Sequence, residues 1–125
     1  MTDYRILKNK QTNDTILPRV RWCSSMLCRF RGLMLRKSLP ADEGYLFIGK
    51  RDSKVDSTIH MLFMRFDIGV IWINSKGVVV DKRLAKVWRP AYAPKEPAKY
   101  FLEANPDILD RVQIGDVLQF DEKIN

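Results

Sequence analysis

The side chains best suited to nucleophilic or metal chemistry in this sequence are two cysteines and one histidine, Cys23, Cys28 and His60. The cysteine spacing is neither that of Cys-x-x-Cys redox and zinc sites nor part of a larger Cys and His set. A zinc site would need an added carboxylate, and a Cys-His nucleophilic pair would need His60 within hydrogen-bond reach of a thiolate. We therefore expect buried, inert thiols, a buried and hydrogen-bonded His60, no metal and no cofactor.

The sequence has no residue arrangement typical of an enzyme active site. It lacks a Ser-His-Asp order, paired acids at a telling spacing and a glycine-rich phosphate loop. Its methionines are explained by core packing. We predict no catalytic residue and favour a binding protein over an enzyme.

Basic side chains give the strongest functional signal. The chain has 22 Lys and Arg against 15 Asp and Glu, a net charge of +7. Residues 15–41 carry six basic residues and no acid, residues 77–102 have a net charge of +4, and residues 103–125 have a net charge of −4. Either the basic residues solubilise the surface, or they form a face for an anionic partner such as nucleic acid.

Candidate ligand-binding residues lie in these basic segments and beside an apolar stretch. Paired guanidinium groups suit phosphate or carboxylate, and aromatic rings among basic residues suit stacking. The proline-rich stretch 88–97 is a predicted loop, where binding residues often lie. The candidates are Arg29, Arg31, His60, Trp88, Arg89 and Tyr92.

These candidates support two different functions. The first is a non-catalytic module whose basic face, built from residues 19–37 and 82–99, meets an anionic partner. The second is a small-molecule site at the mouth of the β structure, near His60, Trp88 and Tyr92. A third reading is structural, since the arginines can pair within the fold and the loop can plug one end of it.

The hydrophobic pattern predicts about seven strands. Short alternating or β-branched runs are separated by turn residues, and residues 70–80 form the clearest hairpin. Residues 49–56 are predicted to be a loop. Eight segments are candidates for these strands: residues 4–7, 16–22, 45–48, 57–64, 70–73, 78–80, 99–104 and 117–120. In the 57–64 segment both faces of the strand are expected to be largely buried.

Two helices are predicted beside the strands. Residues 25–37 show helical periodicity with Ser24 or Ser25 as N-cap, and the helix should end before Leu39-Pro40. Asn105 as N-cap followed by Pro106 predicts a short helix over residues 106–111. With antiparallel hairpins and no βαβ alternation, the chain should form a mainly β sandwich or barrel of antiparallel strands with helices at its edge.

The length of 125 residues fits one domain. We divide the chain into a polar segment 1–15 with a possible edge strand, a domain over residues 16–121 and a tail at 122–125. No apolar run is long enough to cross a bilayer, and the amino terminus has no apolar signal-peptide core. We expect a cytoplasmic monomer that does not insert into membranes.

A set of motifs in this order resembles the bacterial and archaeal family known as domain of unknown function 192. The resemblance covers residues 16–121, and the Arg-x-x-Gly-Leu-Met block is its most specific part. The motifs are Arg29-Phe30-Arg31-Gly32-Leu33-Met34, Gly44-Tyr45-Leu46-Phe47, Met61, Asp67-Ile68-Gly69-Val70-Ile71-Trp72-Ile73-Asn74, Gly77-Val78-Val79, Tyr100-Phe101-Leu102-Glu103 and Gly115-Asp116-Val117.

The resemblance implies a compact β-rich fold without a known cofactor, and it implies no reaction. Members of the family usually have an Asp after the Leu or Ile that begins the strand at residue 68. This chain has Gly69 there, so the carboxylate is missing. Asp67 would point to the other face of a strand.

Overall fold

The computed structural model describes residues 3–25, 28, 33, 37–61, 64–87, 89 and 91–122. These residues form seven strands and one short helix, as the hydrophobic pattern predicts for a mainly β fold. The elements are β1 (Tyr4–Asn9), β2 (Thr15–Cys23), β3 (Glu43–Ser53), β4 (Ile68–Ile73), β5 (Val79–Ala85), β6 (Ala98–Ala104), α1 (Ile108–Arg111) and β7 (Leu118–Glu122).

The strands form a single sheet in the order β5-β4-β6-β3-β2-β1-β7, which curls into a half-barrel. Neighbours are antiparallel except β2 and β3, which run parallel. The expectation of antiparallel pairing throughout is therefore wrong at one pair. A parallel pair needs a long crossover, and residues 24–42 between β2 and β3 supply it.

The two edges of the sheet meet at one point. Val78 and Val117 form an antiparallel bridge, and the Leu118 N–H donates to the Gly77 carbonyl at 2.8 Å. Gly77 has φ of +85°, a left-handed conformation that a glycine adopts without strain. The β4–β5 hairpin turn thus closes this part of the half-barrel.

One of two hydrophobic cores, here called the inner core, lies on one face of the sheet. All seven strands contribute to it, and α1 covers one end through Ile108 and the following Val112. Its buried members are Leu7, Ile16, Leu17, Val20, Leu46, Ile71, Ile73, Val79, Leu102, Ala104, Ile108, Val112 and Leu118.

The outer core lies on the opposite face, where loops cover the middle strands. Because side chains alternate along a strand, β4 sends Ile71 and Ile73 inward and Trp72 outward, and all six of its residues are buried. The outer-core members are Cys23, Leu33, Leu39, Tyr45, Phe47, Ile59, Met61, Ile68, Val70, Trp72, Ala85, Tyr92, Ala98 and Phe101.

The structure differs from the strand predictions at two segments. β3 continues to Ser53, so the first half of the predicted 49–56 loop is strand. The predicted strand 57–64 is absent from the residues described there; only Ile59 makes a bridge, to Tyr92. The sheet positions beside β4 are filled by β5 and β6. Of the described residues in this segment, Ile59 and Met61 pack in the outer core and do not join the sheet.

The helix predictions have different outcomes. Most of the predicted helix 25–37 lies outside the described residues, although Ser25 Oγ accepts the Cys28 N–H at 3.1 Å, as an N-cap does. The second helix is confirmed but begins at Ile108. Its N-cap residue is Asp107, which makes no side-chain cap hydrogen bond, while Asn105 Nδ2 donates to the Leu39 carbonyl at 2.6 Å.

In the part of the chain described, no helix has the length and apolar character needed to span a membrane.

Candidate functional site

A surface pocket lies beside the C-terminal end of β5, where the chain enters the 86–97 loop. Its volume is about 460 Å³, and three of its lining residues are cationic. Cations gathered in one concave site attract anions, and sites of about 300–1,000 Å³ suit small ligands. The lining residues are Arg83, Leu84, Lys86, Arg89 and Tyr92.

Strand β5 determines how Arg83 reaches this pocket. Alternation along the strand puts Asp81, Arg83 and Ala85 on one face, and Asp81 and Ala85 are buried there, 2% and 0% exposed. The Arg83 side chain keeps 39% of its surface exposed, and its Nε lies 3.5 Å from Oδ2 of Asp81. The guanidinium is therefore anchored at Nε while the side chain lines the pocket.

The Asp81 carboxylate also connects β5 to the loop that forms the rest of the pocket. Its Oδ1 accepts the Lys82 backbone N–H at 2.9 Å, and its Oδ2 accepts the Lys95 backbone N–H at 3.0 Å. A buried carboxylate needs such partners to remain charged. One side chain thus holds the strand and the loop in a fixed relation.

Tyr92 holds the same loop against the outer core. Its N–H and carbonyl pair with the carbonyl and N–H of Ile59, both at 2.9 Å, and its hydroxyl accepts the Lys86 N–H at 2.9 Å. The Arg89 guanidinium carbon lies 5.5 Å from the centroid of the Tyr92 ring, within the range of cation–π contacts. These hydrogen bonds fix the position of the loop at Tyr92, beside the pocket.

Of the predicted binding residues, Arg89 and Tyr92 come together at this pocket. The other predicted arginines, Arg29 and Arg31, lie outside the described residues, as does Trp88.

His60 is not among the residues that line the pocket. It follows Ile59 but is exposed, so its predicted burial is wrong, as is the prediction that both faces of the 57–64 segment are largely buried. In this extended segment Ile59 and Met61 face the outer core, and the residue between them faces solvent.

Arg83 and Lys86 belong to the basic segment 77–102 but are not among the single residues predicted from the sequence. The signal that could have found them is their place, at the end of a strand that runs directly into the proline-rich loop. Binding residues tend to collect at such junctions because the strand is rigid and the loop is exposed.

The described arginines of the other basic segment serve the fold. Arg19 forms an ion pair with Glu43 at 3.3 Å, and its guanidinium carbon lies 4.7 Å from the centroid of the Tyr4 ring. The Arg21 guanidinium carbon lies 5.6 Å from the centroid of the Tyr45 ring. These two arginines therefore make contacts within the fold.

Cys23 and Cys28 form a disulfide, with their Cα atoms 5.5 Å apart. The prediction of two free thiols is wrong, because Cys28 lies beside Cys23 at the end of β2, close enough for the two sulfurs to bond. Sulfurs bonded to each other do not act as thiolate ligands or nucleophiles. Among the described residues, no group of three or more His, Cys, Asp and Glu side chains could hold a metal ion.

Glu103 is a buried acid that the sequence reasoning missed. It lies on the central strand β6, opposite Val70 on one side and Tyr45 on the other, and it is 8% exposed. Burial raises the pKa of its carboxyl from 4.5 to about 8, since a low-dielectric environment disfavours the charged form. The signal was an acid within the apolar run of residues 100–104.

A comparison with known proteins decides the family. Residues 6–120 match the family described as an uncharacterized ACR, domain of unknown function 192. The chain belongs to this family. The resemblance over residues 16–121 is thereby confirmed, and the match extends into β1, which pairs with β2 and β7.

Relatives in the domain of unknown function 192 family include archaeal proteins without an assigned activity. A UPF0127 protein of Pyrococcus furiosus is 37% identical over 107 residues, which are 84% of this chain and 89% of the relative. A UPF0127 protein of Thermococcus kodakarensis is 36% identical over 104 residues, 82% of this chain. The chain spans 64% of the length of the Thermococcus relative.

Solved structures share the fold. A crystal structure from Sinorhizobium meliloti, of a protein proposed to be a transcription regulator, superposes with a TM-score of 0.80 at 22% identity, covering 96% of this chain and 94% of that one. This likeness concerns the fold alone. The function of this chain is therefore argued from the residues of its pocket.

Proposed function

We propose that this domain is a non-catalytic binding module that takes an anionic partner, such as nucleic acid, at the pocket beside β5. The observation that carries the proposal is the convergence of Arg83, Lys86 and Arg89 around about 460 Å³ next to a buried tyrosine. Like charges gathered at one place repel each other, and an anionic ligand relieves that repulsion.

The surroundings of the pocket favour an anion over a cation. The acid beside it, Asp81, is buried and already shared among Lys82, Arg83 and Lys95. Arg89 is exposed and rests on the Tyr92 ring, which limits the orientations it must give up on binding. The net charge of +7 adds long-range attraction for a polyanion.

A small anionic molecule is the second candidate. The pocket volume of about 460 Å³ suits a compact ligand as well as one phosphate of a polymer. The site for this ligand includes Tyr92, as the predicted small-molecule site did. It has Arg83 and Arg89 in place of His60.

The test is a titration of the protein into fluorescently labelled single-stranded DNA and RNA of mixed sequence, at low and at physiological salt. The variant Arg83→Gln/Arg89→Gln should bind more weakly. The slope of log K against log salt should become shallower by roughly 0.7 for each lost phosphate contact. Lys76→Gln is the control for loss of a positive charge outside the pocket, since Lys76 lies in the β4–β5 turn, roughly 20 Å along the strand at about 3.3 Å per residue.

Two results would contradict the proposal. One is no binding of either oligonucleotide, and no binding of inorganic pyrophosphate, by the wild-type protein at low salt. The other is an equal loss in the pocket variant and in Lys76→Gln after correction for the number of charges removed, which would mean that net charge alone drives association. Binding of pyrophosphate without either oligonucleotide would favour the small-anion candidate.

A cytoplasmic location is part of the proposal, and the Cys23–Cys28 disulfide bears on it. Disulfides persist in oxidising compartments and, as an exception, inside hyperthermophilic organisms. Alkylation of the protein in freshly fractionated cells, before and after reduction, measures both properties together. A disulfide found in the soluble cytoplasmic fraction supports the location, and recovery only from an extracytoplasmic fraction contradicts it.

A further inference from the structure

We propose that Asp81 is a positioning residue for oxyanion binding, orienting the Arg83 guanidinium and fixing the loop that carries Arg89. This inference rests on the proposed function and deepens it. The ligand chemistry is a single phosphate or similar oxyanion group held between two guanidinium groups, supplied either by a nucleic acid backbone or by a small phosphorylated compound.

The first support is the contact between Asp81 and Arg83. Oδ2 of Asp81 meets Arg83 at Nε, at 3.5 Å, and among the described residues this is the guanidinium's polar contact. The two terminal nitrogens of Arg83 are therefore left for a ligand. Arginine binds oxyanions best with parallel N–H groups of its planar fork, so fixing Nε restricts how that fork is presented.

The second support is the link between Asp81 and the loop. The same Oδ2 atom accepts the Lys95 N–H at 3.0 Å, and Tyr92 anchors the loop nearer to Arg89 through Ile59 and Lys86. Asp81 is 2% exposed, so its position is set by packing. One buried carboxylate therefore holds the β5 wall of the pocket and the end of its loop wall.

The third support is the chemical identity of the linking group. A carboxylate beside an anion site lowers the positive potential there. The backbone N–H groups of Lys82 and Lys95 donate to the Asp81 carboxylate and fix its position. Asp81 therefore orients its neighbours, while its negative charge weakens the attraction of the pocket for an anion. Positioning and net charge thus predict opposite effects of removing it.

The decisive variant is Asp81→Asn, which keeps the shape and removes the negative charge. If charge alone governs the site, this variant binds anions more tightly because the net charge becomes more positive. If Asp81 orients Arg83, binding of inorganic pyrophosphate and of the labelled oligonucleotides weakens, by roughly tenfold. In an Arg83→Gln background the same change should have a smaller effect, because only the link from Asp81 to the loop at Lys95 remains to be lost.

A second variant keeps the question answerable if Asp81→Asn does not fold, as judged by its melting temperature and amide spectrum. Arg83→Lys keeps the charge but has neither Nε nor the planar fork, and the side chain it replaces is 39% exposed. Positioning predicts that Arg83→Lys binds as weakly as Arg83→Gln. Asp81→Glu keeps the charge and should retain part of the wild-type affinity.

The outcomes separate the two proposals. If the wild-type protein binds neither probe, the proposed function fails and this inference fails with it. If wild type binds and Arg83→Gln/Arg89→Gln loses binding, but Arg83→Lys binds as wild type and a folded Asp81→Asn binds equally or more tightly, the pocket stands and positioning is refuted. Comparing pyrophosphate with the DNA and RNA probes assigns the source of the oxyanion.

Discussion

Ile108 on α1 packs directly over Gly69 on β4, so closely that a Cβ atom at position 69 would lie 2.6 Å from Ile108 Cγ2. The Asn105 carbonyl oxygen, at 3.2 Å, and Leu109 Cγ, at 3.3 Å, close the same space. The resemblance implied an Asp at this place, and the absence of a side chain here lets the helix lie against the sheet. The missing carboxylate thus corresponds to a packing contact at the end of the inner core.

The first prediction concerns this contact. Gly69→Ala should lower the free energy of unfolding by about 1–3 kcal/mol, because an added methyl group in a filled core forces side chains or backbone to move. Urea unfolding measures the change. In an Ile108→Ala background the same substitution should cost less, since the nearest colliding atom is gone; strictly additive effects would show that the two positions are independent.

The second prediction concerns Glu103 and pH. The unfolded chain releases this proton near pH 4.5, whereas the folded protein holds it until the raised pKa of about 8. Between these values the folded state binds more protons than the unfolded state at this site, so the contribution of Glu103 to stability is greatest below pH 4.5, falls as pH rises and levels off above pH 8. At about 1.36 kcal/mol per pH unit, the loss by pH 7 is on the order of 3 kcal/mol.

Glu103→Gln should remove that slope and stabilise the protein at neutral pH. Unfolding by urea at several values between pH 5 and pH 8 measures it, with the exposed Glu96→Gln as the control that keeps the wild-type slope. Parallel slopes for wild type and Glu103→Gln would contradict the raised pKa.

The third prediction concerns the disulfide. It closes a short loop between Cys23 and Cys28, for which the chain-entropy argument gives about 2 kcal/mol of stabilisation. Cys28→Ser should lower the melting temperature in non-reducing buffer. Adding a reductant should lower the melting temperature of the wild-type protein toward that of the variant while leaving the variant unchanged; a wild-type protein insensitive to reductant in the unfolding region would argue against the bond.

The fourth prediction concerns the turn at residues 54–57, which Trp72 of the outer core contacts. Trp72 is fully buried, and its Nε1 donates to the Ser57 carbonyl at 2.7 Å. Trp72→Phe removes this donor and leaves a buried carbonyl unpaired, which costs about 1–3 kcal/mol, in addition to the lost ring volume. Hydrogen exchange should accelerate in residues 54–59. Unchanged exchange there would mean that the indole does not hold the turn.

The sequence determined the local elements because their signals are local. β-branched runs around a four-residue turn specify the β4–β5 hairpin whatever surrounds it, and apolar alternation marks β1, β2, β6 and β7. The family followed from motifs spread over the chain, and the basic segment 77–102 indicated where cations are concentrated. Arg89 and Tyr92 were predicted from the exposed, proline-rich composition of their loop.

Only the tertiary structure decided which segments share a sheet and which side chains share a site. The 57–64 segment has the pattern of a strand, but the positions beside β4 are already occupied, and among the described residues of the segment only Ile59 pairs. Arg83 and Arg89 line one pocket, and Asp81 joins the end of their loop to β5 through the Lys95 N–H. The burial that raises the pKa of Glu103 comes from segments far away in sequence, such as β3 and β4. A local sequence pattern does not predict such long-range packing.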